Sequence, residues 1–371
     1  MKKFTTILLS LLCVFTFFGC SKNNKTEIAG TVTRDNKYNS AIVSFSPDQF
    51  TQAGFNFGDS CNVVFGNGYK IDDVPFYNGY YVKNNEPVIV LYPGYSYISI
   101  TYNNNGIWDI ADLNEGDKIT ITLKEAGKYS SIQETLGQEY SFDYQKYKNS
   151  EEFCNFRELS GGNLKEKLLY RGASPVDNSR NRASYTDKLL ENSGISYIVD
   201  LADSIEDMEG YLEDDSFNSP YAANLYENDC VVLLDMSSSY QAEAYQKKVA
   251  EGLTAMLEAS GPIYIHCMEG KDRTGFVCML IEALAGASYD EMSVDYMKTY
   301  ENYYGVSLKD TPEKYQAIEE LYFVPFVSYL HKTDNIDELK KADYVSDAKE
   351  YLLAGGMREN DIEQLIELIS E

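Results

Sequence analysis

The chain has 371 residues, which is long for one ordinary domain, and 44% of them are hydrophobic, which is enough for packed cores. Lysine and arginine number 32 against 58 aspartates and glutamates, so the formal net charge is −26. Such acidity argues against a nucleic-acid partner and against broad electrostatic docking on anionic membranes, and two soluble domains are expected.

The N-terminus has the pattern of a targeting segment. Lys2 and Lys3 are followed by an apolar run over residues 4–18, and Phe17-Phe18-Gly19-Cys20 has the form of a lipobox, with Phe17 where leucine is usual. We predict a lipoprotein signal peptide over residues 1–19, acylation of Cys20 and a polar tether over residues 20–26. This places the protein on the extracytoplasmic side of a membrane, at the cell surface or the periplasmic face. A transmembrane helix is the alternative, although about 20 apolar residues are needed to span.

Residues 27–130 are predicted to form an all-β barrel or sandwich, because short β-branched and aromatic runs alternate with turn-forming residues. The predicted strands are Ile28–Val32, Ala41–Phe45, Cys61–Phe65, Glu86–Tyr92, Tyr97–Tyr102 and Lys118–Leu123. The stretch from Phe65 to Leu123 resembles the C-terminal β-domain of the S-adenosylmethionine hydroxide adenosyltransferase family. That resemblance implies the fold alone, since the family's catalytic domain has no counterpart here, and a spacer or adhesive module is expected.

Residues 136–371 alternate strand and helix signals, which predicts an α/β domain with a central sheet and flanking helices. The predicted strands are Ser196–Leu201, Cys230–Asp235 and Pro262–Ile265. The predicted helices are Ser184–Asn192, Tyr240–Ala259, Thr274–Ala285, one opening at the capping box of Ser288 and one at Thr311-Pro312. The C-terminal stretches Asp337–Leu353 and Asn360–Ile369 are amphipathic and are expected to pack on this domain.

Cysteine and histidine usage gives no sign of a metal site or a disulfide framework. Five of the seven cysteines lie beyond Cys20, no C-x-x-C spacing occurs, and His266 and His331 are the only histidines. We therefore predict no metal and no cofactor.

One ten-residue run carries the chemistry. It reads His266-Cys267-Met268-Glu269-Gly270-Lys271-Asp272-Arg273-Thr274-Gly275 and lies between a predicted strand and a predicted helix. A loop at a helix N-terminus attracts anions, and successive backbone N–H groups curled around one point form a nest for phosphate oxygens.

Each side chain of the run has a predicted role. The same field favours a thiolate at Cys267, the nucleophile, and Arg273 can hold two phosphate oxygens in a fork. Gly270 permits a tight backbone turn, and Thr274 can hydrogen-bond the thiolate. The remaining predicted substrate-binding residues are Met268, Glu269, Lys271 and Gly275.

This run resembles the phosphate-binding loop of the cysteine-dependent tyrosine and dual-specificity phosphatases. The form H-C-x-x-G-K-D-R-T-G is most similar to the bacterial secreted tyrosine/lipid phosphatase group, and Asn155–Glu158 and Leu169–Ser174 resemble two further segments of that group. A third, Val199–Leu201, matches except that Ala202 replaces an arginine. The resemblance implies hydrolysis of phosphate monoesters through a phosphocysteine intermediate.

The general acid stays open between two aspartates. In dual-specificity phosphatases this residue lies about thirty residues before the nucleophile, and Asp235 lies 267 minus 235, or 32, residues before Cys267. Asp272, inside the loop, is the rival because the secreted bacterial group also carries an aspartate there. Asp200 and Asp203 rank behind both.

Several functional alternatives also stay open. Phosphotyrosine or another phosphoprotein is the favoured substrate, a small phosphoester is next, and a phosphoinositide or inositol phosphate is the alternative. A different class is a catalytically silent, phosphate-binding adhesive lipoprotein. The basic run Asn178–Arg182 either clamps a second anionic group or pairs with nearby carboxylates.

Overall fold

A computed structural model describes residues 26–137 and 140–371 of the chain; the predicted signal peptide and Cys20 lie outside these residues. The first part of the described chain forms a closed β-barrel with the strand order β1-β2-β6-β5-β4-β3-β7, in which β7 returns to pair with β1. Its strands are β1 (Glu27–Arg34), β2 (Ala41–Val43), β3 (Ser60–Phe65), β4 (Lys70–Tyr77), β5 (Pro87–Val90), β6 (Ser99–Tyr102) and β7 (Lys118–Glu125). Two helices accompany it, α1 (Pro47–Gln52) and α2 (Ser130–Leu136). Of the two predicted forms, the barrel is therefore the one observed.

The barrel interior is filled by alternate side chains of its strands, as the two-residue period of a β-strand requires. Val32, Val63, Ile100 and Ile121 are completely buried there. Neighbouring strands pair antiparallel except β4 and β5, which run parallel.

The second part contains a five-stranded sheet in the order β11-β10-β12-β9-β8, with all neighbours parallel except the edge strand β8. The strands are β8 (Arg157–Glu158), β9 (Leu169–Gly172), β10 (Tyr197–Asp200), β11 (Val231–Leu233) and β12 (Ile263–His266). Ile263 and Ile265 join one buried cluster and Tyr264 joins another. Because neighbouring side chains of a strand point to opposite faces, helices cover both faces of this sheet.

The helices of this part account for most of the remaining described chain. They are α3 (Ser150–Phe153), α4 (Ala183–Ser193), α5 (Ile205–Glu213), α6 (Pro220–Glu227), α7 (Glu243–Ala255), α8 (Asp272–Leu284), α9 (Tyr289–Tyr304), α10 (Pro312–Ile318), α11 (Val324–His331), α12 (Ile336–Leu339), α13 (Tyr344–Ala354) and α14 (Glu359–Ile369). Helix α9 begins at the predicted capping box, in which Ser288 and Glu291 satisfy each other's backbone N–H groups. No helix within residues 26–137 and 140–371 is long and apolar enough to cross a membrane.

The barrel packs directly on the α/β part. Tyr77, Val82 and Val88 of the barrel belong to the same buried cluster as the core of the second part. Polar bonds cross the same boundary: Asn84 Nδ2 donates to Tyr240 Oη at 2.7 Å. The site described next lies along this boundary.

Candidate active site

A strand–loop–helix unit positions the cysteine loop. Strand β12 is flanked by β10 and β9 and ends at His266, and helix α8 begins at Asp272. Nearly every residue of α8 is buried, so its N-terminus is fixed in the middle of the α/β part. The loop of residues 267–271 is thus held at the carboxyl edge of the sheet, where ligands bind in open parallel sheets.

The backbone of this loop has its carbonyl groups satisfied and its N–H groups free. The carbonyls of Met268, Glu269 and Gly270 accept bonds from the surrounding scaffold. No described group accepts a hydrogen bond from the N–H groups of residues 268–271. Such a division predicts an anion site, because buried N–H groups require an acceptor. The donors to the three carbonyls are, in order, Ser174 N (3.1 Å), Tyr303 Oη (2.7 Å), and Arg171 Nη2 (3.0 Å) with Asn155 Nδ2 (3.1 Å).

Gly270 makes this loop possible. Its φ is +65°, in the left-handed region, and a Cβ at this position would lie 2.2 Å from the carbonyl oxygen of Gly172. No larger residue fits without displacing strand β9, so the sequence-based role of Gly270 in the turn is explained by contact as well as conformation.

Cys267 and Arg273 both line one cleft above the loop. The Cys267 side chain is 4% exposed, and Arg273 Nη1 donates to the carbonyl of Met236 at 2.9 Å. Burial acts to lower the pKa of the Arg273 guanidinium, but the negative charge of Cys267 outweighs it and the pKa is raised. Thr274 Oγ1 is buried and has no hydrogen-bond partner among the described residues, so it can still bond a thiolate or a ligand.

The other buried cysteines have a different setting. Burial raises the pKa of the Cys61, Cys154 and Cys278 thiols to about 12, so these groups stay protonated at neutral pH. Cys230 is free as well, and no disulfide forms among the described residues. No described group of three or more histidine, cysteine or acidic side chains is arranged to hold a metal ion.

Glu269 and Lys271 neutralise each other beside the loop. Lys271 Nζ lies 3.9 Å from Glu269 and donates to Tyr92 Oη, a barrel residue, at 2.9 Å. Glu269 also accepts a short bond from Tyr140 and pairs with Arg180 at 3.5 Å. Although burial alone would raise the pKa of Glu269, these cations and the Tyr140 bond lower it, so the carboxylate is charged. The basic run 178–182 therefore pairs through Arg180 with a carboxylate of the loop.

The two candidate acids occupy different places. Asp272 lines the cleft, with its side chain 57% exposed to it, and partial loss of hydration there raises its pKa despite the opposing charge of Lys271. Asp235 is exposed and is not among the residues that line the cleft; its backbone N–H bonds the carbonyl of Asp203 at 3.1 Å. Of the two, the structure brings only Asp272 together with Cys267 and Arg273.

A buried acidic pair lies behind the loop. Asp200 and Asp203 are 1% and 5% exposed, and Asp200 Oδ2 lies 3.8 Å from His266 Nε2. Burial, followed by the charge of Asp200, raises the pKa of Asp203 to about 8. Burial also lowers the pKa of His266 to about 4, so this imidazole is neutral at pH 7. Neither aspartate lines the cleft.

Three of the predicted loop residues do not line the cleft themselves. Gly270, Thr274 and Gly275 are not among its lining residues, whereas Met268, Glu269 and Lys271 are. A Cβ at Gly275 would lie 2.6 Å from the Tyr296 ring, so this glycine lets α8 approach α9 closely.

Sequence reasoning missed the residues that reach the loop from elsewhere. Asn155 and Arg171 hold the Gly270 carbonyl, and the resemblance of their two segments to the secreted phosphatases was the signal that could have identified them. For Tyr92 and Tyr140 no local pattern marks the contact, because each reaches the loop from more than a hundred residues away.

Comparison with known proteins agrees with this geometry. The model of the tyrosine phosphatase family matches residues 148–371, more than half of the chain, and the chain therefore belongs to the tyrosine phosphatase family. No curated protein matches it. Among solved structures, one similar chain is an uncharacterized conserved protein from Thermotoga maritima, with 17% identity, a TM-score of 0.23 and coverage of 26% of this chain. The chain spans 36% of that protein, about a third of its length.

Proposed function

We propose that this protein is a lipid-anchored, extracytoplasmic phosphatase that hydrolyses phosphate monoesters of a phosphoprotein or a small phosphoester through a phosphocysteine intermediate. The observation that carries the proposal is the loop itself. Its carbonyls are bound by the scaffold, its N–H groups are free, and Cys267 and Arg273 line the cleft above it. Membership of the tyrosine phosphatase family supports the same reaction class.

The first chemical step forms a bond between Cys267 Sγ and phosphorus while the bond from phosphorus to the leaving oxygen breaks. The free loop N–H groups and the Arg273 fork hold the three non-bridging oxygens, whose charge develops in the transition state. Asp272 gives its proton to the leaving oxygen, and its raised pKa keeps that proton available at higher pH than in an ordinary aspartate.

The second step reverses these roles. Water attacks phosphorus, the Sγ–P bond breaks, and Asp272, now ionised, accepts the proton of the water. Thr274 Oγ1, which lacks another described partner, can donate to the departing thiolate. Phosphate leaves, and Cys267 and Asp272 return to their starting states.

Phosphate release from p-nitrophenyl phosphate by the purified protein tests the proposal. Cys267→Ser should lower turnover by several orders of magnitude while substrate still binds, and Arg273→Lys should lower it by about 10²–10³-fold. Cys230→Ser, a free cysteine outside the cleft, is the matched control and should keep full activity. A wild-type protein that binds inorganic phosphate but does not hydrolyse p-nitrophenyl phosphate would favour the silent adhesive lipoprotein instead.

A further inference from the structure

The barrel forms one wall of the cleft. Barrel residues that line it lie in three segments, 37–40, 78–95 and 101–106. The opposite wall comes from residues 237–245, from α9 and from the segment 321–326. The cleft has a volume of about 620 Å³, within the range of about 300–1,000 Å³ that is usual for small-molecule sites. Without the barrel, the space above Cys267 would lack half of its boundary.

Specific bonds fix the two walls to each other. Ser239 Oγ donates to the carbonyl of Asn104 at 2.9 Å, and Asn84 Nδ2 donates to Tyr240 Oη at 2.7 Å. Lys271, in the catalytic loop itself, donates to Tyr92 Oη. The barrel wall is therefore held at a fixed distance from the phosphate-binding loop, as a specificity-determining subsite must be.

The barrel wall is rich in neutral hydrogen-bonding groups. Outside residues 267–273, the described lining residues include two charged side chains, Lys37 and Arg180, and no carboxylate. Arg180 pairs with Glu269, whereas the described bond of Lys37 Nζ is to the neutral carbonyl of Ala202 at 3.1 Å. The remaining barrel lining is mostly asparagine and tyrosine: Tyr38, Asn39, Asn78, Tyr80, Tyr81, Asn84, Asn85, Tyr92, Tyr95, Tyr102, Asn103, Asn104 and Asn105.

Several of these groups have no described partner and can bind a ligand. No described residue hydrogen-bonds the side-chain amides of Asn85 and Asn105 or the hydroxyls of Tyr38 and Tyr95. An amide offers two donors and an acceptor, and a phenol offers one donor and an acceptor, so together they match ligand hydroxyl groups. Tyrosine rings also cover the C–H faces of such a ligand.

We propose that the barrel wall binds the leaving group, and that this group is an uncharged, hydroxyl-rich one, so that the preferred substrates are monophosphates of sugars or polyols. The inference rests on the proposed phosphatase function and goes beyond it. Among the described lining residues outside 267–273, a second phosphate would meet one cation without a carboxylate partner, Lys37, whereas the rest of the barrel wall is neutral. A protein chain would have to enter a cleft that is walled on both sides.

Steady-state kinetics of the purified full-length protein test this substrate class. The panel is p-nitrophenyl phosphate, glucose 6-phosphate, myo-inositol 1-phosphate, an inositol bisphosphate and a phosphotyrosine peptide. We expect kcat/KM for at least one of the two polyol monophosphates to exceed that for the peptide and the bisphosphate by about tenfold, the effect of roughly one additional hydrogen bond.

Variants of the wall give a second, independent readout. Asn105→Ala and Tyr95→Phe should each lower the ratio of kcat/KM for the polyol monophosphate to that for p-nitrophenyl phosphate by about fivefold. Asn36→Ala is the matched control, because Asn36 is an exposed barrel asparagine that does not line the cleft, and its ratio should equal that of wild type.

The outcomes separate this inference from the proposed function. If Cys267-dependent turnover of p-nitrophenyl phosphate is present but the phosphotyrosine peptide or the bisphosphate is the best substrate, the inference is overturned and the proposed function stands. A ratio that neither wall variant changes also overturns it. Absence of any Cys267-dependent turnover overturns both.

Discussion

At the scale of single residues, the loop around Cys267 is defined by which backbone groups have partners. The carbonyls of Met268, Glu269 and Gly270 accept hydrogen bonds from surrounding groups. The N–H groups of the loop have no acceptor among the described residues. Of the two candidate general acids, Asp272 lines this cleft and Asp235 does not. The sequence left these two aspartates equal because spacing along the chain does not show which side chain faces the nucleophile.

The assignment of the acid predicts a leaving-group effect. Asp272→Asn should slow hydrolysis of phosphotyrosine by about 10²–10⁴-fold and that of p-nitrophenyl phosphate much less, because an acidic phenol leaves without protonation. The same variant should lose the alkaline decline of the pH–rate profile, which in wild type is displaced to higher pH by the raised pKa of Asp272. Asp235→Asn is the control and should keep both features; the opposite pattern would assign the acid to Asp235.

The buried Asp203 predicts how stability depends on pH. Its pKa of about 8, raised by burial and then by Asp200, means that the native state holds a proton that an unfolded aspartate releases near pH 4. Stability is therefore lost as pH rises from about 4 through 8. His266, with its pKa lowered to about 4 by burial, acts in the opposite direction, but only below about pH 6.5. The groups that face Asp203 besides these are Asp177 and Tyr211.

Between pH 6.5 and 8 His266 no longer contributes, and the difference in slope between wild type and Asp203→Asn isolates the effect of Asp203. Wild type should lose on the order of 1–2 kcal/mol of unfolding free energy across this interval, as determined by urea denaturation, and Asp203→Asn should lose far less. Asp215→Asn, an exposed aspartate, should show the wild-type slope. Equal slopes in wild type and Asp203→Asn would show that Asp203 is not protonated in the native state.

At the scale of secondary-structure elements, a buried ionic network joins β8, β9 and α9 beneath the loop. Asp295 on α9 pairs with Arg157 at 2.7 Å and with the fully buried Arg171. Burial acts to raise the pKa of Asp295, but the two arginines lower it, so the carboxylate stays charged. Arg171 in turn bonds the carbonyl of Gly270. Three elements thereby fix the position of the loop.

Removal of the central charge should be costly. Asp295→Asn leaves Arg157 and Arg171 without a counter-charge, and we expect a loss of about 3–5 kcal/mol in the free energy of unfolding by chemical denaturation. Asp290→Asn on the same helix is exposed and should lose less than about 1 kcal/mol. A loss in Asp295→Asn no greater than that of Asp290→Asn would refute the role of the network.

Among the elements that the sequence did not predict, strand β4 is supported by distant contacts. Strand β4 was missed because Asp72, Asp73 and Pro75 interrupt its β pattern. In the structure, Asp73 has a φ of +65° and accepts bonds from Ser60 at 2.6 Å and Tyr129 at 2.9 Å, which supports this irregular strand. Periodic segments with local caps, such as α9, were predicted with the right start.

The C-terminal helices show a detail that amphipathic patterning does not contain. The amphipathic stretch Asp337–Leu353 is divided between two helices, since α12 ends at Leu339 and α13 begins at Tyr344. Asp343 caps the second helix by accepting a bond from Val345 N at 3.1 Å. An aspartate inside an amphipathic run looks like a solvated position, and only its backbone geometry distinguishes it as a cap.

At the scale of the whole molecule, the barrel and the α/β part share one buried cluster and one cleft. Both parts were predicted from the sequence, but the barrel was predicted to be a spacer or adhesive module. The reason is that Tyr92 and the neighbouring wall residues have no sequence pattern that indicates contact with the cysteine loop. The net charge of −26 disfavours anionic macromolecules as substrates, because like charges repel.

The predicted lipid anchor is a property of the whole chain and is tested on the full-length protein. If Cys20 is acylated, the protein should partition into the detergent phase, and mass spectrometry should find a diacylglyceryl group on an N-terminal Cys20. Cys20→Ala should move the protein to the aqueous phase, and Cys13→Ala should not. A mature protein that retains Met1, or that begins beyond Cys20, would rule out the lipoprotein assignment.

Covalent catalysis by Cys267 can be tested by rapid acid quenching of the enzyme during turnover of p-nitrophenyl phosphate. Peptide mapping of the quenched wild-type protein should find one phosphoryl group on Cys267, at a level that rises and falls with turnover. The Cys267→Ser protein should carry none, and Cys230→Ser should match wild type. Turnover without phosphorylation of Cys267, or turnover that persists in Cys267→Ser, would contradict the mechanism.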